Sequence, residues 1–269
     1  MSSFLQTLRW TNKFTFCDYS LAFASRLGCE VCIEYLIQAG GRHDTRINQI
    51  PAFDAELILQ AAVHGGHLQA VKTLIQAKVE INVAPVAWDG RTALQAAAGG
   101  GHLEVVNALI RAGADINAAP AEVYGRTALQ AAAEAGHLLV VNALLRENAD
   151  VNAPPGETFG QFALYAAAKN GHLEALNMLI QANADVNMLS NGSEGNLDRQ
   201  SALQAAAKVG NLGIVRALIE ANADVNLVPR HSNSKTALEE AEDRGYVEIA
   251  ETLRRAGARK LGRYNRLLR

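Results

Sequence analysis

Residues 92–117 of the chain read TALQAAAGGGHLEVVNALIRAGADIN, and residues 127–152 repeat that pattern as TALQAAAEAGHLLVVNALLRENADVN. The leucine that precedes the alanine cluster recurs six times along the chain, at Leu59, Leu94, Leu129, Leu164, Leu203 and Leu238. The spacing is 35 residues except for one step of 39, between Leu164 and Leu203. A fixed period of this length is the signature of stacked repeats, so the sequence predicts a row of similar units.

Each unit is predicted to contain two short helices. A hydroxyl residue can cap the first helix by accepting a bond from a first-turn amide, at Thr92, Thr127, Ser201 and Thr236. Glycines end the first helix, at Gly66, Gly101, Gly136, Gly171, Gly210 and Gly245. A second, amphipathic helix follows, and an asparagine is predicted to form the turn after it, at Asn82, Asn117, Asn152, Asn187 and Asn226. Helices this short are marginal alone, so stacking must stabilise them.

The repeated pattern G-x-T-A-L-x-x-A-A-x-x-G-H-L-x-x-V-x-x-L-L-x-x-x-A-D-V-N resembles the ankyrin repeat, whose usual T-P-L-H reads T-A-L-Q here. The resemblance implies an all-α ankyrin-repeat solenoid of helix-turn-helix units joined by long, hairpin-like fingers. It places six repeats in residues 53–258, the last of them a cap. Residues 1–52 then form an N-terminal extension with a degenerate capping repeat, and residues 259–269 form a basic tail.

The two ends of the array are expected to differ from its middle. The last repeat carries Glu239, Glu240 and Glu242, which indicate a polar face turned to solvent. The tail after Ala258, RKLGRYNRLLR, is expected to be solvated and mobile.

Composition excludes several kinds of partner. The net charge of -2 provides no broad basic field, which argues against general nucleic-acid binding. No apolar run is long enough to span a bilayer, so no membrane insertion is expected. The three cysteines, Cys17, Cys29 and Cys32, are too few for a disulfide framework and indicate a reducing compartment. Cys29 and Cys32 form a C-x-x-C, which is predicted to be a pair of ordinary core cysteines rather than a metal or redox site. An intracellular, cytoplasmic location follows, with the nucleus left open.

The ankyrin resemblance also implies a concave groove, lined by the fingers and by exposed positions of the first helices. The candidate binding residues in this groove are Trp88, Asp89, Arg91, Val123, Tyr124, Arg126, Glu134, Phe159, Gln161, Phe162, Tyr165, Lys169, Asn170, Leu197, Asp198 and Lys208. Aromatic residues at three successive fingers are typical anchors of protein interfaces. The sequence therefore predicts a protein- or peptide-binding scaffold.

The fourth repeat departs most from its neighbours. Phe162 replaces the capping hydroxyl, and Tyr165 replaces a glutamine that three other repeats share. The only insertion in the array follows at once, in residues 188–200. A broken local rule beside an inserted loop is typical of a functional site, so we expect the centre of the binding surface here.

A small-molecule pocket or an atypical enzyme is the alternative function, centred on the repeat at 159–187. Its walls would be Trp88, Tyr124, Phe159, Phe162 and Tyr165. No catalytic, metal or cofactor residues are predicted, and the chain is expected not to be an enzyme. Four histidines recur in register, at His67, His102, His137 and His172, but each belongs to a different repeat. Because packed helices stand about 10 Å apart, these histidines cannot share one metal ion and are interpreted as structural.

Overall fold

The computed structural model describes residues 27–29, 59–83, 91–122, 125–157, 160–190, 199–227 and 235–260. The repeats are numbered one to six from the repeat that contains Leu59. One compact unit of the chain contains repeats one and two, and the other contains repeats three to six. The residues 191–198 of the insertion, and most of the predicted N-terminal cap and tail, lie outside the described residues.

Every regular element among the described residues is a helix, and each repeat contains a pair. The first helices comprise residues 59–64, Ala93–Gly99, Ala128–Ala135, Ala163–Asn170, Ala202–Val209 and Ala237–Asp243. The second helices comprise Leu68–Gln76, Leu103–Arg111, Leu138–Arg146, Leu173–Gln181, Leu212–Glu220 and Val247–Arg255. The predicted all-α architecture of helix-turn-helix units is therefore confirmed for these residues.

Small buried side chains let neighbouring helices approach closely. In the unit of repeats three to six, first helices pack side by side in sequence order, and second helices do the same. Each first helix buries a leucine and an alanine cluster, such as Leu129 with Ala132 and Ala133. In the unit of repeats one and two, the second helices pack against each other. The burial pattern follows the repeat in the sequence, as the stacking prediction requires.

The predicted hydroxyl caps are present and form part of a larger device. Thr127 Oγ1 accepts a bond of 3.3 Å from the backbone amide of Gln130, and Gln130 Oε1 accepts one of 3.0 Å from the amide of Thr127. This capping box recurs in repeats two, five and six. Gln130 Nε2 also donates to the carbonyl of Ala153 at 2.8 Å, so the capping glutamine links repeat three to the following finger.

The glycine that ends the first helix of repeat three meets two structural demands. Gly136 has a φ of +74°, a left-handed conformation that favours glycine. A Cβ atom added to it would lie 2.6 Å from Nδ1 of His172 in the next repeat. The same ring places its Nε2 atom 3.1 Å from the carbonyl oxygen of Glu134. The recurrent histidine thus packs on the preceding repeat, which gives its structural interpretation a physical basis.

The asparagines do more than form turns, because they join successive repeats. Asn152 Oδ1 accepts the backbone amide of Asp185 at 2.8 Å, and Asn152 Nδ2 donates to the carbonyl of Asn183 at 3.2 Å. The carboxylate of Asp150 accepts the amide of Asn152 itself at 2.9 Å. The other predicted turn asparagines each accept the equivalent amide of the next repeat, that of Asp115, Asp150, Asp224 or Arg259.

The last repeat corrects two of the sequence expectations. Glu239 and Glu240 are buried, with 8% of their surface exposed, rather than turned to solvent. Glu239 completes the capping box with Thr236, while Glu240 pairs with Arg244. The start of the basic tail is also held, because Lys260 binds Glu242 at 2.7 Å. This hydrogen bond, together with one from Arg254, lowers the pKa of the Glu242 carboxyl.

The prediction of ordinary core cysteines is wrong for Cys29. This residue is half-buried and disulfide-bonded. A count of three cysteines argues against an extended framework of disulfides, but it does not exclude a single disulfide bond. The inference of a reducing compartment loses this support.

Replacement of Gly136 by alanine should cost more than replacement of Gly245. Both glycines end a first helix with nearly the same φ, +74° and +73°, but a Cβ on Gly245 meets nothing within 4 Å. We expect Gly136→Ala to lower the free energy of unfolding by about 2–4 kcal/mol and Gly245→Ala by about 1–2 kcal/mol. Urea unfolding followed by circular dichroism measures both, and equal losses would contradict the contact between Gly136 and His172.

Loss of one asparagine bridge should also be measurable. Asn152→Ala removes one acceptor and one donor between repeats three and four, and we expect a loss of about 1–2 kcal/mol in the free energy of unfolding. Asn177→Ala is the matched control, since Asn177 lies exposed on the second helix of repeat four. Alanine favours helix formation there, so this control should be neutral or slightly stabilising. A control that loses as much stability as Asn152→Ala would refute the bridging role.

Candidate functional site

Two positions of the repeat lie side by side in repeats three and six. One position immediately precedes the N-cap of the first helix, and the other is eight residues further on, in the last turn of that helix. In repeat three, Arg126 Nη2 donates to Glu134 Oε1 at 2.9 Å. In repeat six, Lys235 Nζ lies 2.7 Å from Asp243 Oδ2. We call the surface formed by these positions in repeats three to six the finger face, with members Arg126, Glu134, Gln161, Lys169, Gln200, Lys208, Lys235 and Asp243.

Charge on the finger face is balanced in its outer repeats. The guanidinium of Arg126 and the carboxylate of Glu134 are both partly buried, which strengthens their pairing relative to a fully exposed pair. Lys235 is neutralised by Asp243, and that hydrogen bond raises the pKa of the lysine. Repeats three and six therefore contribute little net charge at these positions.

The inner repeats carry glutamine and lysine at the same positions. Repeat four has Gln161 and Lys169, and repeat five has Gln200 and Lys208. Both lysines are exposed, and neither forms a hydrogen bond or an ion pair with any residue that the structure describes. Two uncompensated positive charges therefore lie on consecutive first helices.

Repeat four gives up its N-cap and buries a tyrosine instead. Phe162, at the N-cap position, makes no capping bond. Tyr165 is only 8% exposed, and its hydroxyl donates to Gln200 Oε1 of the next repeat at 3.4 Å. Burial raises the pKa of the Tyr165 phenol, and a hydrogen bond with Ser190 opposes that rise. Tyr165 thus joins repeats four and five, as Gln130 joins repeat three to the finger that follows it.

The two ends of the insertion are held together. The backbone amide of Ser190 donates to the carbonyl of Gln200 at 2.9 Å, and Ser190 Oγ accepts the amide of Gln200 at 3.2 Å. Leu189 and Ser201 form an isolated antiparallel bridge beside them. Tyr165 donates to Gln200, and Gln200 is bonded to Ser190, so one network anchors the base of the insertion to repeat four.

One polar side-chain atom at the start of repeat four lacks a hydrogen-bond partner among the described residues. The Oε1 atom of Gln161 is buried and accepts no hydrogen bond from the described part of the chain. An orphaned buried acceptor costs about 1–3 kcal/mol. The missing cap and the unpaired acceptor therefore both lie at the start of the first helix of repeat four.

The predicted binding residues fall into two groups. Those within the described residues are Arg91, Arg126, Glu134, Gln161, Phe162, Tyr165, Lys169, Asn170 and Lys208, and those outside them are Trp88, Asp89, Val123, Tyr124, Phe159, Leu197 and Asp198. The structure brings together Arg126 with Glu134, and it places Lys169 and Lys208 on adjacent helices. Tyr165 is too buried to be an open contact, and Asn170 donates back to the carbonyl of Ala166. The aromatic finger anchors remain predictions.

Ser190 and the pair of Lys235 with Asp243 are functional positions that were not predicted from the sequence. The charge pairs have a readable signal, because a basic residue before the cap and an acidic residue eight positions later recur in repeats three and six. Ser190 has no such signal, since its role depends on the return of the chain after the insertion.

No observation among the described residues supports the small-molecule pocket. A small depression in the unit of repeats one and two is lined by Leu59, Gln60, Glu80, Ile81, Val83 and Ala93, which include none of the predicted pocket aromatics. Tyr165 directs its hydroxyl to Gln200, and Phe162 is half-buried at the N-cap.

The helix pairs, the glycine ends and the asparagine bridges define a helical repeat protein. A family model for ankyrin repeats matches the chain in three copies, at residues 21–120, 118–190 and 164–262. The chain belongs to the ankyrin repeat family. Members of this family generally act as protein-interaction scaffolds.

Comparison with solved structures agrees with this assignment. The human ASB11 ankyrin repeat domain matches with a TM-score of 0.67 and 21% sequence identity, over 90% of this chain and 99% of that one. At this identity the likeness shows the fold alone. A search of curated proteins found no match. None of the described helices has the length and apolar character needed to cross a membrane.

The buried phenol of Tyr165 should make stability fall in alkaline solution. Unfolded tyrosine ionises near pH 10, whereas the folded chain keeps this proton to higher pH. In that interval the unfolded state binds fewer protons, so the free energy of unfolding falls as pH rises above about 10. We expect Tyr165→Phe to show a shallower decline between about pH 9 and pH 11.5, measured by urea unfolding. An identical decline in both chains would show that Tyr165 ionises equally in the two states.

Proposed function

We propose that the chain is a scaffold that binds a protein or peptide partner through the finger face and the adjoining fingers. The observation that carries this proposal is that repeat four departs from the repeat pattern beside that face, at the start of its first helix. Repeat four keeps its buried leucines and its asparagine bridge, yet it lacks the cap at Phe162 and leaves Gln161 Oε1 without a donor. Stability is given up at the start of one first helix, beside the finger face, which is typical of a binding site.

The rigidity of the face supports the same function. Capping boxes fix the start of most first helices, while asparagine bridges fix the turn before each finger. Pro155 is buried in the finger that precedes repeat four, and proline limits backbone freedom. A surface that is already ordered loses less conformational entropy when a partner binds.

The proposal assigns no catalytic step to the chain. The finger face carries acids and bases, but its acids, Glu134 and Asp243, are each paired with a neighbouring cation in the same repeat. A side chain held in such a pair is poorly placed to exchange protons with a substrate. The scaffold is proposed to act inside the cell, where a cytoplasmic partner would meet it.

Removal of the aromatic finger residues should abolish capture of the partner. We expect the triple variant Trp88→Ala, Tyr124→Ala and Phe159→Ala to lose at least one protein that the wild-type chain retains from a cell lysate. Truncation of anchor residues weakens binding by about 2 kcal/mol or more at each hot spot. Quantitative mass spectrometry of the captured proteins measures the loss.

The matched control changes apolar residues on the opposite helices. Leu139 and Val247 are exposed on second helices, so Leu139→Ala/Val247→Ala removes apolar surface away from the fingers. This control should retain the same proteins as the wild type. If the finger variant and the wild type capture identical proteins while thermal unfolding shows both folded, the proposed surface is wrong. If only the control variant loses captured proteins, the binding surface lies on the second helices instead.

A further inference from the structure

The charge pattern of the finger face indicates which partner chemistry it accepts. In repeats three and six each basic residue has its own carboxylate, whereas Lys169 and Lys208 have none among the described residues. The neutral Gln161 and Gln200 stand where the outer repeats carry the cations of those pairs. Within the part of the chain that the structure describes, the inner repeats therefore present two positive charges without a counter-charge, flanked by repeats in which the charges are paired.

The geometry of adjacent first helices sets the spacing of these charges. The first helices of repeats four and five pack against each other, and Lys169 and Lys208 occupy the same position on them. Packed helices lie about 8–10 Å apart, so the backbone positions that carry the two lysines are separated by roughly that distance, and their flexible side chains can hold the ammonium groups at the same spacing. A polyproline II segment rises about 3.1 Å per residue with three residues per turn, which brings residues three apart to one side at about 9 Å.

Two exposed residues follow the lysines at the ends of the same first helices. Val209 follows Lys208 and is 45% exposed, which offers an apolar contact. Asn170 follows Lys169 and is also exposed. The insertion ends at Gln200, so its anchored base borders repeat five.

We propose that repeats four and five bind an extended, acidic segment of a partner protein. Two carboxylates of that segment, three residues apart, pair with Lys169 and Lys208, and a neighbouring apolar side chain contacts Val209. This inference rests on the proposed scaffold function and specifies its partner as an acidic peptide.

Selection from a phage library of random dodecapeptides tests the inference directly. The full-length chain is immobilised at about 50 mM salt, where exposed charges are weakly screened. We expect the selected peptides to be enriched in Asp and Glu, with a preferred separation of three residues. The same selection on Lys169→Gln/Lys208→Gln should lose the enrichment.

A matched variant controls for total charge. Arg111→Gln/Arg146→Gln removes two positive charges from the exposed ends of second helices, and its selection should resemble that of the wild type. For a synthetic copy of one selected peptide, fluorescence anisotropy should show about 5–20-fold weaker binding to the lysine variant, because each exposed ion pair changes affinity by about two- to fivefold. At about 500 mM salt the difference should largely vanish.

Each result decides the inference. Selection of peptides without acidic enrichment overturns it, and so does enrichment that survives in the lysine variant. Loss of the enrichment in the arginine control as well would show a nonspecific effect of net charge and would also overturn it. The scaffold function is judged separately: a partner captured by the wild type, lost in the finger variant and indifferent to Lys169 and Lys208 would leave that function standing while the acidic partner is rejected.

Discussion

The hydrogen bond from a backbone amide of one repeat to an asparagine of the preceding repeat is the contact on which the array depends. Turns between helices leave amides without a partner in their own helix, so a partner from the neighbouring repeat orders the turn. Asn152 supplies it to Asp185, 33 residues away. Across the insertion the separation grows to 37 residues, between Asn187 and Asp224, yet the distance stays 2.8 Å. Extra residues are thus accommodated outside the bridge, so the insertion changes a surface without changing the stack.

The contacts between glycine and histidine also join successive repeats. Gly136 allows the left-handed backbone and leaves room for the His172 ring, so its two demands join the end of one helix to the next repeat. Where the histidine is replaced, the contact persists with a different side chain, since a Cβ on Gly210 would meet the ring of Tyr246. Stability in repeats three to six is therefore shared between neighbours, and a change in one repeat is felt in the next.

Sequence analysis predicted what local chemistry determines. Thr127 as a cap and Gly136 as a helix end depend only on nearby residues, and both predictions are confirmed. The bridges of Asn152 and Gln130 were missed because their partners lie 23 to 33 residues away. Glu239 was predicted to face solvent because it is acidic, but it occupies the capping-box position and is buried there. Lys169 and Lys208 were predicted as binding residues from their position in the repeat. The structure adds that Arg126 and Lys235 are paired with carboxylates in their own repeats, whereas the two lysines have no such partner among the described residues.

Pairing also gives the proposed scaffold a means of distinguishing among partners. An acidic ligand that approaches Arg126 must compete with Glu134 for the guanidinium, and the lost pair offsets the new one. No such competition exists at Lys169 among the described residues, so the same ligand gains its full contact there. A register that places the acidic residues of the proposed peptide at repeat three or six is therefore disfavoured, because the cation there is already paired. A register that places them at Lys169 and Lys208 is favoured. Specificity arises from this difference in free energy, and it requires no change in the buried residues that hold the repeats together.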